Sequence, residues 1–283
     1  MVDLDAATNF LTTHGRLLDR RRLDLLLGRG AAAGVRAALA AYGNADGGFG
    51  WGLEPDLRVP GSQPAGALHA FEILAETGAT GQDARALCDW LERVTLPDGG
   101  LPFALADPFP AGFSPVWAGA DHAASSLHIT AAVCEAAHRV PAAAGHPWLD
   151  RATAYCVAAI RAEAPRSAYT LKFCLGLLDA IGARDDLAEL ADHLPRSGIK
   201  PVAGGQEDEA LRPLDFSPRP CVPLRDHIAP EAIDADLDRL ASGQQDDGGW
   251  TIDFRAGSPA AALEWRGLFT VHAIATLHAN GRT

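Results

Sequence analysis

Sheet signals are nearly missing from this 283-residue chain. It has few β-branched runs, no apolar/polar alternation and no hairpin dipeptide between apolar segments, which excludes a β-rich fold. Also missing is any stretch near the roughly 20 apolar residues of a membrane span. No basic segment precedes an apolar one in Met1 to Asp5, so a cytoplasmic protein without an integral membrane segment is expected. Positive charge is short as well. The net charge of −12 repels phosphate backbones and argues against a nucleic-acid partner. Cysteine is sparse and has no CxxC spacing. Cys88, Cys134, Cys156 and Cys174 lie in apolar helical stretches and Cys221 does not; buried free thiols are the expectation, not a disulfide or metal framework. With no Pro/Ser-rich linker to divide it, residues 1–283 are expected to form a single all-α domain.

Present instead is a repeat. Gly47-Gly48-Phe49, Gly99-Gly100-Leu101 and Gly248-Gly249-Trp250 each follow an Asp and an Ala/Leu-rich amphipathic stretch. A second amphipathic stretch follows each after a loop. Gly pairs reach backbone angles that other residues avoid, and the large apolar residue then pins the loop. Repeats of this kind dictate architecture. Periodicity predicts one or two helices over 3–27 and further helices near 30–42, 62–77, 82–94, 121–139, 148–163, 166–182, 184–194, 231–242 and 261–279. The segment 195–230, rich in proline and without periodicity, is predicted to be an irregular insertion. The whole reads as an α/α toroid of about five inner/outer helix pairs joined by long Gly-Gly loops.

The helices that return after the loops align on one another. His69, His128, Lys172 and His272 fall at equivalent positions, each with small residues just before it. Seven-residue steps keep one helix face within about 20°, so each returning helix carries a polar stripe at comparable depth.

The arrangement resembles the α/α-toroid superfamily of squalene–hopene-type terpenoid cyclases and protein prenyltransferase β subunits. Gln244-Gln245-Asp246-Asp247-Gly248-Gly249-Trp250 is similar to the QW motif of the cyclases, and Asn44–Phe49 and Leu96–Leu101 look like degenerate copies. The Ser62-Gln63 pair looks like the start of an inner helix in those enzymes. The resemblance implies a cavity for an isoprenoid or another hydrophobic small molecule. It does not carry the familiar chemistry over. No DxDD acid motif exists, and Asp234-Ala235-Asp236-Leu237-Asp238 falls on a presumed outer helix with a solvated face. Where prenyltransferases place zinc ligands, this chain has Ser62-Gln63 and Trp265-Arg266.

Candidate chemistry gathers at the loop-to-helix junctions. Asp121, with His122 beside it, stands where the cyclase acid would sit; it is either a general acid with its pKa raised by desolvation or a helix N-cap. His69, His128, Lys172 and His272 could bond neighbouring loops or contact a polar or anionic ligand. Three imidazoles could also hold a metal ion, but the width of a ring counts against it, and neither metal nor cofactor is expected. Glu54 and Asp56 lie in a loop expected to overhang the mouth, with Arg58 near enough for an ion pair. Trp51, Trp117 and Trp265 are ligand-facing candidates, whereas Phe49 and Trp250 anchor turns. Glu264 is expected to pair with an arginine. A pocket bounded by Trp51, Asp56, Trp117, Asp121, Glu264 and Trp265 follows from placing three junctions on one side. Three functions remain open: a cyclase-like enzyme, a non-catalytic binder of a small molecule, and an interaction scaffold.

Overall fold

The computed structural model describes residues 2–78 and 81–283; Met1, first residue of the N-terminal stretch read above, lies outside them. Helices dominate, in the order α1 (Leu4–His14), α2 (Leu17–Leu26), α3 (Ala32–Leu39), α4 (Pro64–Thr77), α5 (Gly81–Val94), α6 (Pro115–Ala118), α7 (Leu127–His138), α8 (Pro147–Ala162), α9 (Ala168–Ala180), α10 (Arg184–Ala191), α11 (Pro213–Phe216), α12 (Pro230–Ser242) and α13 (Pro259–Ala279). The all-α expectation stands. Among the described residues the only sheet is a two-stranded antiparallel hairpin, β1 (Lys200–Pro201) with β2 (Ala210–Leu211).

Local chemistry starts these helices where they start. Asp3 accepts the Ala6 N–H at 2.8 Å ahead of α1, and Ser258 accepts the Ala261 N–H at 3.1 Å ahead of α13; each satisfies an amide that has no partner inside its helix. Proline occupies the first turn of α4, α8, α12 and α13, where its missing N–H costs nothing. The predicted 3–27 stretch breaks into two helices at Gly15, whose amide bonds back to the Leu11 carbonyl at 2.9 Å.

Two kinds of helix result. In α4, α7 and α9 buried residues point in nearly every direction, while α5 buries one stripe, Ala84, Leu87, Cys88 and Leu91. The first kind is enclosed by other helices and the second shields it from water. Packing runs in a closed sequence: α2 on α3, α3 on α4, α4 on α7, α7 on α9, α9 on α11, α11 on α12, α12 on α13, and α13 on α2. One contiguous apolar cluster extends from Val2 to Leu277, with Phe71 and Trp148 stacked at 6.4 Å inside it.

The three Gly-Gly turns share one hydrogen-bond pattern. In the third, Gln245 N–H bonds the Gly249 carbonyl at 2.8 Å, Gly248 N–H the Gln245 carbonyl at 2.8 Å, and Gly249 N–H the Asp247 carboxylate at 3.1 Å. The same three bonds recur around Asp46 and around Asp98. Gly248 has φ +90°, and a Cβ there would lie 2.1 Å from the Ala6 carbonyl oxygen; one at Gly249 would lie 2.7 Å from the Phe10 ring. The first glycine supplies the angle and the second the close approach. The turn at Asp46 sits on Trp90 of α5, that at Asp98 on Tyr155 of α8, and that at Asp247 on Phe10 of α1. The last repeat thus rests on the first helix, as each earlier one rests on a later helix.

Some sequence expectations change. Residues 121–126 are not helical; α7 begins at Leu127 after Ser126, because Ser125 is held by the Asp98 turn through a 2.6 Å bond. In the acidic run, Asp234 and Asp238 pair with Arg282 at the surface, but Asp236 is 5 % exposed and accepts the Leu214 N–H at 2.9 Å. The segment 195–230 is irregular, yet it holds the hairpin and α11, and its Leu211, Leu214, Phe216 and Leu224 join the core. Cys88, Cys134, Cys156 and Cys174 are buried free thiols, and Cys221 is exposed.

Candidate functional site

His69, 8 % exposed, is held between two carboxylates. The loop after the first Gly-Gly turn folds back on itself through Trp51 N–H to the Val59 carbonyl and Leu57 N–H to the Glu54 carbonyl, and Arg16 clasps the Leu53 carbonyl at 3.0 Å. This seats Glu54, 6 % exposed, against α4. His69 Nε2 then donates to Glu54 Oε2 at 2.8 Å, and Nδ1 donates to Glu72 Oε2 at 2.8 Å. Burial opposes protonation of the imidazole, but Glu72 and Glu54 outweigh it and raise its pKa to about 9. Burial likewise opposes ionisation of Glu72, and His69 outweighs it, lowering that carboxyl to about 2.

These shifts fix a pH window. The His69 contribution to stability is complete below its unfolded pKa of about 6.5 and is lost as pH rises through about 9. That of Glu72 is complete above about 4.5 and is lost as pH falls toward about 2. Thermal unfolding across pH should show a decline from about 6.5 to 9 that is absent in His69→Gln. An unchanged alkaline limb in the variant would reject the assignment. The charged and titratable groups facing His69 are Glu54 in the loop, Glu72 on α4 and His272 on α13, with Arg22 on α2 acting on Glu72 and His272.

His272 meets a different partner. Arg22 reaches Glu76 through two bonds of 2.8 and 2.6 Å and turns Nη2 to His272 Nε2 at 3.1 Å. Burial and the guanidinium push the imidazole down to about 4. It is therefore neutral and accepts the bond from Arg22.

Asp56 ties three segments together. It accepts the Gly257 N–H at 2.6 Å and the Trp265 indole N–H at 2.9 Å, while its carbonyl accepts the Ser114 N–H at 3.0 Å. Arg58 spans the same gap to Glu264 at 2.6 Å, rather than pairing within its own loop. Trp265 packs edge-on against His69, Phe254 and Phe269 at 6.1, 5.3 and 6.1 Å. A second aromatic group surrounds His128: Phe103 at 5.4 Å, Phe173 at 5.2 Å and Tyr169 at 6.2 Å, with Trp117 stacked on Phe103 at 4.4 Å. Lys172 Nζ stands 5.3 Å from the Phe173 ring. Burial, then Lys172, pushes His128 down to about 4. Asp253, next to Phe254, is near enough to raise the Tyr169 hydroxyl's pKa, though burial is the larger cause.

The predicted residues thus divide. Glu54, Asp56, His69, Glu264, Trp265 and His272 assemble around α4 and α13, and Trp117, His128 and Lys172 around α7 and α9. Three stand apart. Trp51 is 56 % exposed and donates to Asn44 Oδ1 at 2.8 Å. Asp121 is exposed and accepts the Ala123 N–H at 2.9 Å, so it is neither desolvated nor the cap of α7; Ser126 precedes that helix. His122 is tied to the Ala104 carbonyl at 2.8 Å. The carboxyls that burial does raise are Glu135 on α7 and Asp215 on α11. A cavity of about 360 Å³ lies elsewhere, between Arg196, Arg225, Ile228 and Asp234, and contains none of the six residues predicted to bound a mouth pocket. Among the described residues no three His, Cys, Asp or Glu side chains are placed to hold a metal.

Sequence reasoning missed Glu72, Arg22, Phe103 and Phe254. Glu72 is three residues past His69, a spacing that puts both on one helix face. Phe103 follows Leu101 by two, as Trp51 follows Phe49, so the repeat carried that signal. Arg22 had none, because its partners Glu76 and His272 lie on segments remote in the chain, and Phe254 had none, because it sits in a loop without periodicity before α13.

No family model matches the chain, and no curated protein does. Solved structures do match. The crystal structure of a protein from Actinoplanes, 15 % identical, superposes with a TM-score of 0.61 and covers 98 % of each chain. At that identity the likeness shows the fold alone.

Proposed function

We propose that the helices form a closed α/α toroid and that its interior binds a small amphipathic molecule without transforming it. The observation that carries this reading is the pair of aromatic groups, half-buried Phe254/Trp265/Phe269 and half-buried Phe103/Phe173 around a buried Trp117, beside interior polar side chains on α4, α7 and α9. Apolar walls with few polar groups are the usual composition of a small-molecule site. Ring closure is supported by the sequence of helix contacts and by the last Gly-Gly turn resting on α1. Asp3 and Gln244 add two bonds of 2.8 Å across the same seam.

Cyclisation of an isoprenoid through a carbocation is the weaker reading. Aromatic faces stabilise such a cation, but a protonated His69 and Lys172 beside it would oppose it. Protein isolated from its own host under native conditions should carry a small molecule in its mass spectrum. Asp121→Asn should retain that mass and Phe103→Ala/Phe269→Ala should lose it. Equal retention by the double variant would refute the binding site, and turnover lost in Asp121→Asn would restore the enzyme.

A further inference from the structure

Most interior charges have a partner. Glu54 and Glu72 share His69, Glu76 holds Arg22, Glu135 pairs with Arg139, and Asp215 accepts the Arg212 N–H at 2.7 Å. Lys172 differs. Among the described residues no carboxylate lies within 4.0 Å of its ammonium, and neither it nor His128 makes a hydrogen bond; their close contacts are aromatic rings, and Glu135 and Asp215 act on Lys172 only from farther away. Both residues are half-buried and their nitrogens are not sealed from solvent, so a ligand can reach polar groups that no protein atom has taken.

We propose that Lys172 and His128 form an anion subsite in the interior, and that the molecule bound is a flat aromatic carboxylate. The inference rests on the small-molecule reading above and names its ligand class. Lys172 supplies the charge, and His128, uncharged, donates one ring N–H to a carboxylate oxygen. Phe103 and Phe173 flank the imidazole at 5.4 and 5.2 Å and offer faces to a planar ring. A single negative charge fits better than a phosphate, because Lys172 brings one positive charge and the carboxylates of Glu135 and Asp215 are near enough to sense it. Lys172 is one of two lysines in a chain that otherwise uses arginine. Its ammonium is a compact charge, suited to a space that rings already crowd.

The test uses 1-naphthoate and the isosteric 1-naphthamide, titrated calorimetrically into the full chain. The acid should bind saturably, and Lys172→Gln should weaken it about tenfold or more, the cost of a charged hydrogen bond. Lys172→Arg should keep affinity within a few-fold, and Lys200→Gln should leave it unchanged. The amide should bind weakly to all four proteins. Unaltered melting temperatures show that the variants fold. Equal affinity for acid and amide, or indifference to Lys172→Gln, overturns the anion subsite. So does the absence of saturable binding by either probe. A small molecule carried from the host would in each case still uphold the binding reading, so the two can fail separately.

Discussion

Arg22→Ala is expected to cost about 3–5 kcal/mol of stability, the usual result of removing one member of a buried ion pair. Arg22 is 2 % exposed. It makes two bonds to Glu76, one to His272, and lies 3.7 Å from Asp19, a fully buried carboxylate. Burial works against its charge, yet Glu76 outweighs burial and its pKa rises. The value should fall near the lower end of that range for two reasons. The Glu76 side chain is 40 % exposed and can rehydrate, and Asp19 keeps Arg16 at 2.8 Å. Arg22→Met would fill the space but leave Glu76 and His272 without their donor. Urea unfolding is the measurement; a loss below about 1 kcal/mol, as for surface pairs, would mean that the contact adds little.

Trp250→Ala is the second large effect, expected to cost about 3–5 kcal/mol. The residue is 4 % exposed and closes several connections at once. Its indole N–H caps the Leu240 carbonyl at the end of α12 at 2.8 Å, its amide bonds Thr270 Oγ1 at 3.1 Å, and its carbonyl accepts Arg266 Nε at 3.2 Å. Truncation opens a void and removes the shorter of two bonds to a helix-end carbonyl, which keeps only the Gly243 N–H at 3.2 Å. The backbone bonds survive, so Trp250→Phe should recover most of the packing and lose only the cap. Near-equal losses in the two variants would place the whole effect in the indole N–H and contradict the packing argument.

Helices were legible because they are local. The 3.6-residue period, Pro at first turns and Gly at turns predicted ten helical segments, and most ends agree with α1–α5, α8–α10, α12 and α13 within a few residues. The exception, the start of α7, failed for a non-local reason: Asp98, 27 residues upstream, captures Ser125. The short helices α6 and α11 span four residues each, too few for a period to register.

The candidate site was legible in composition and illegible in geometry. Alignment of the repeat placed His69, His128, Lys172 and His272 at equal depth, but equal depth did not give them equal chemistry. Two carboxylates keep His69 protonated near neutral pH, an arginine makes His272 neutral, and aromatic burial beside Lys172 makes His128 neutral.

By itself the sequence determined the class of structure and its punctuation: apolar periodicity decides which stretches become helices, and each Asp-Gly-Gly closes a turn from its own backbone and carboxylate. Those interactions span a few residues and need no partner from elsewhere. Only the tertiary structure decided which charges meet. Glu54 reaches His69 across 15 residues, Arg22 reaches His272 across 250, and Asp56 reaches Trp265 across 209. A protonation state depends on distance and burial, and both are properties of the packed chain rather than of the neighbours in sequence.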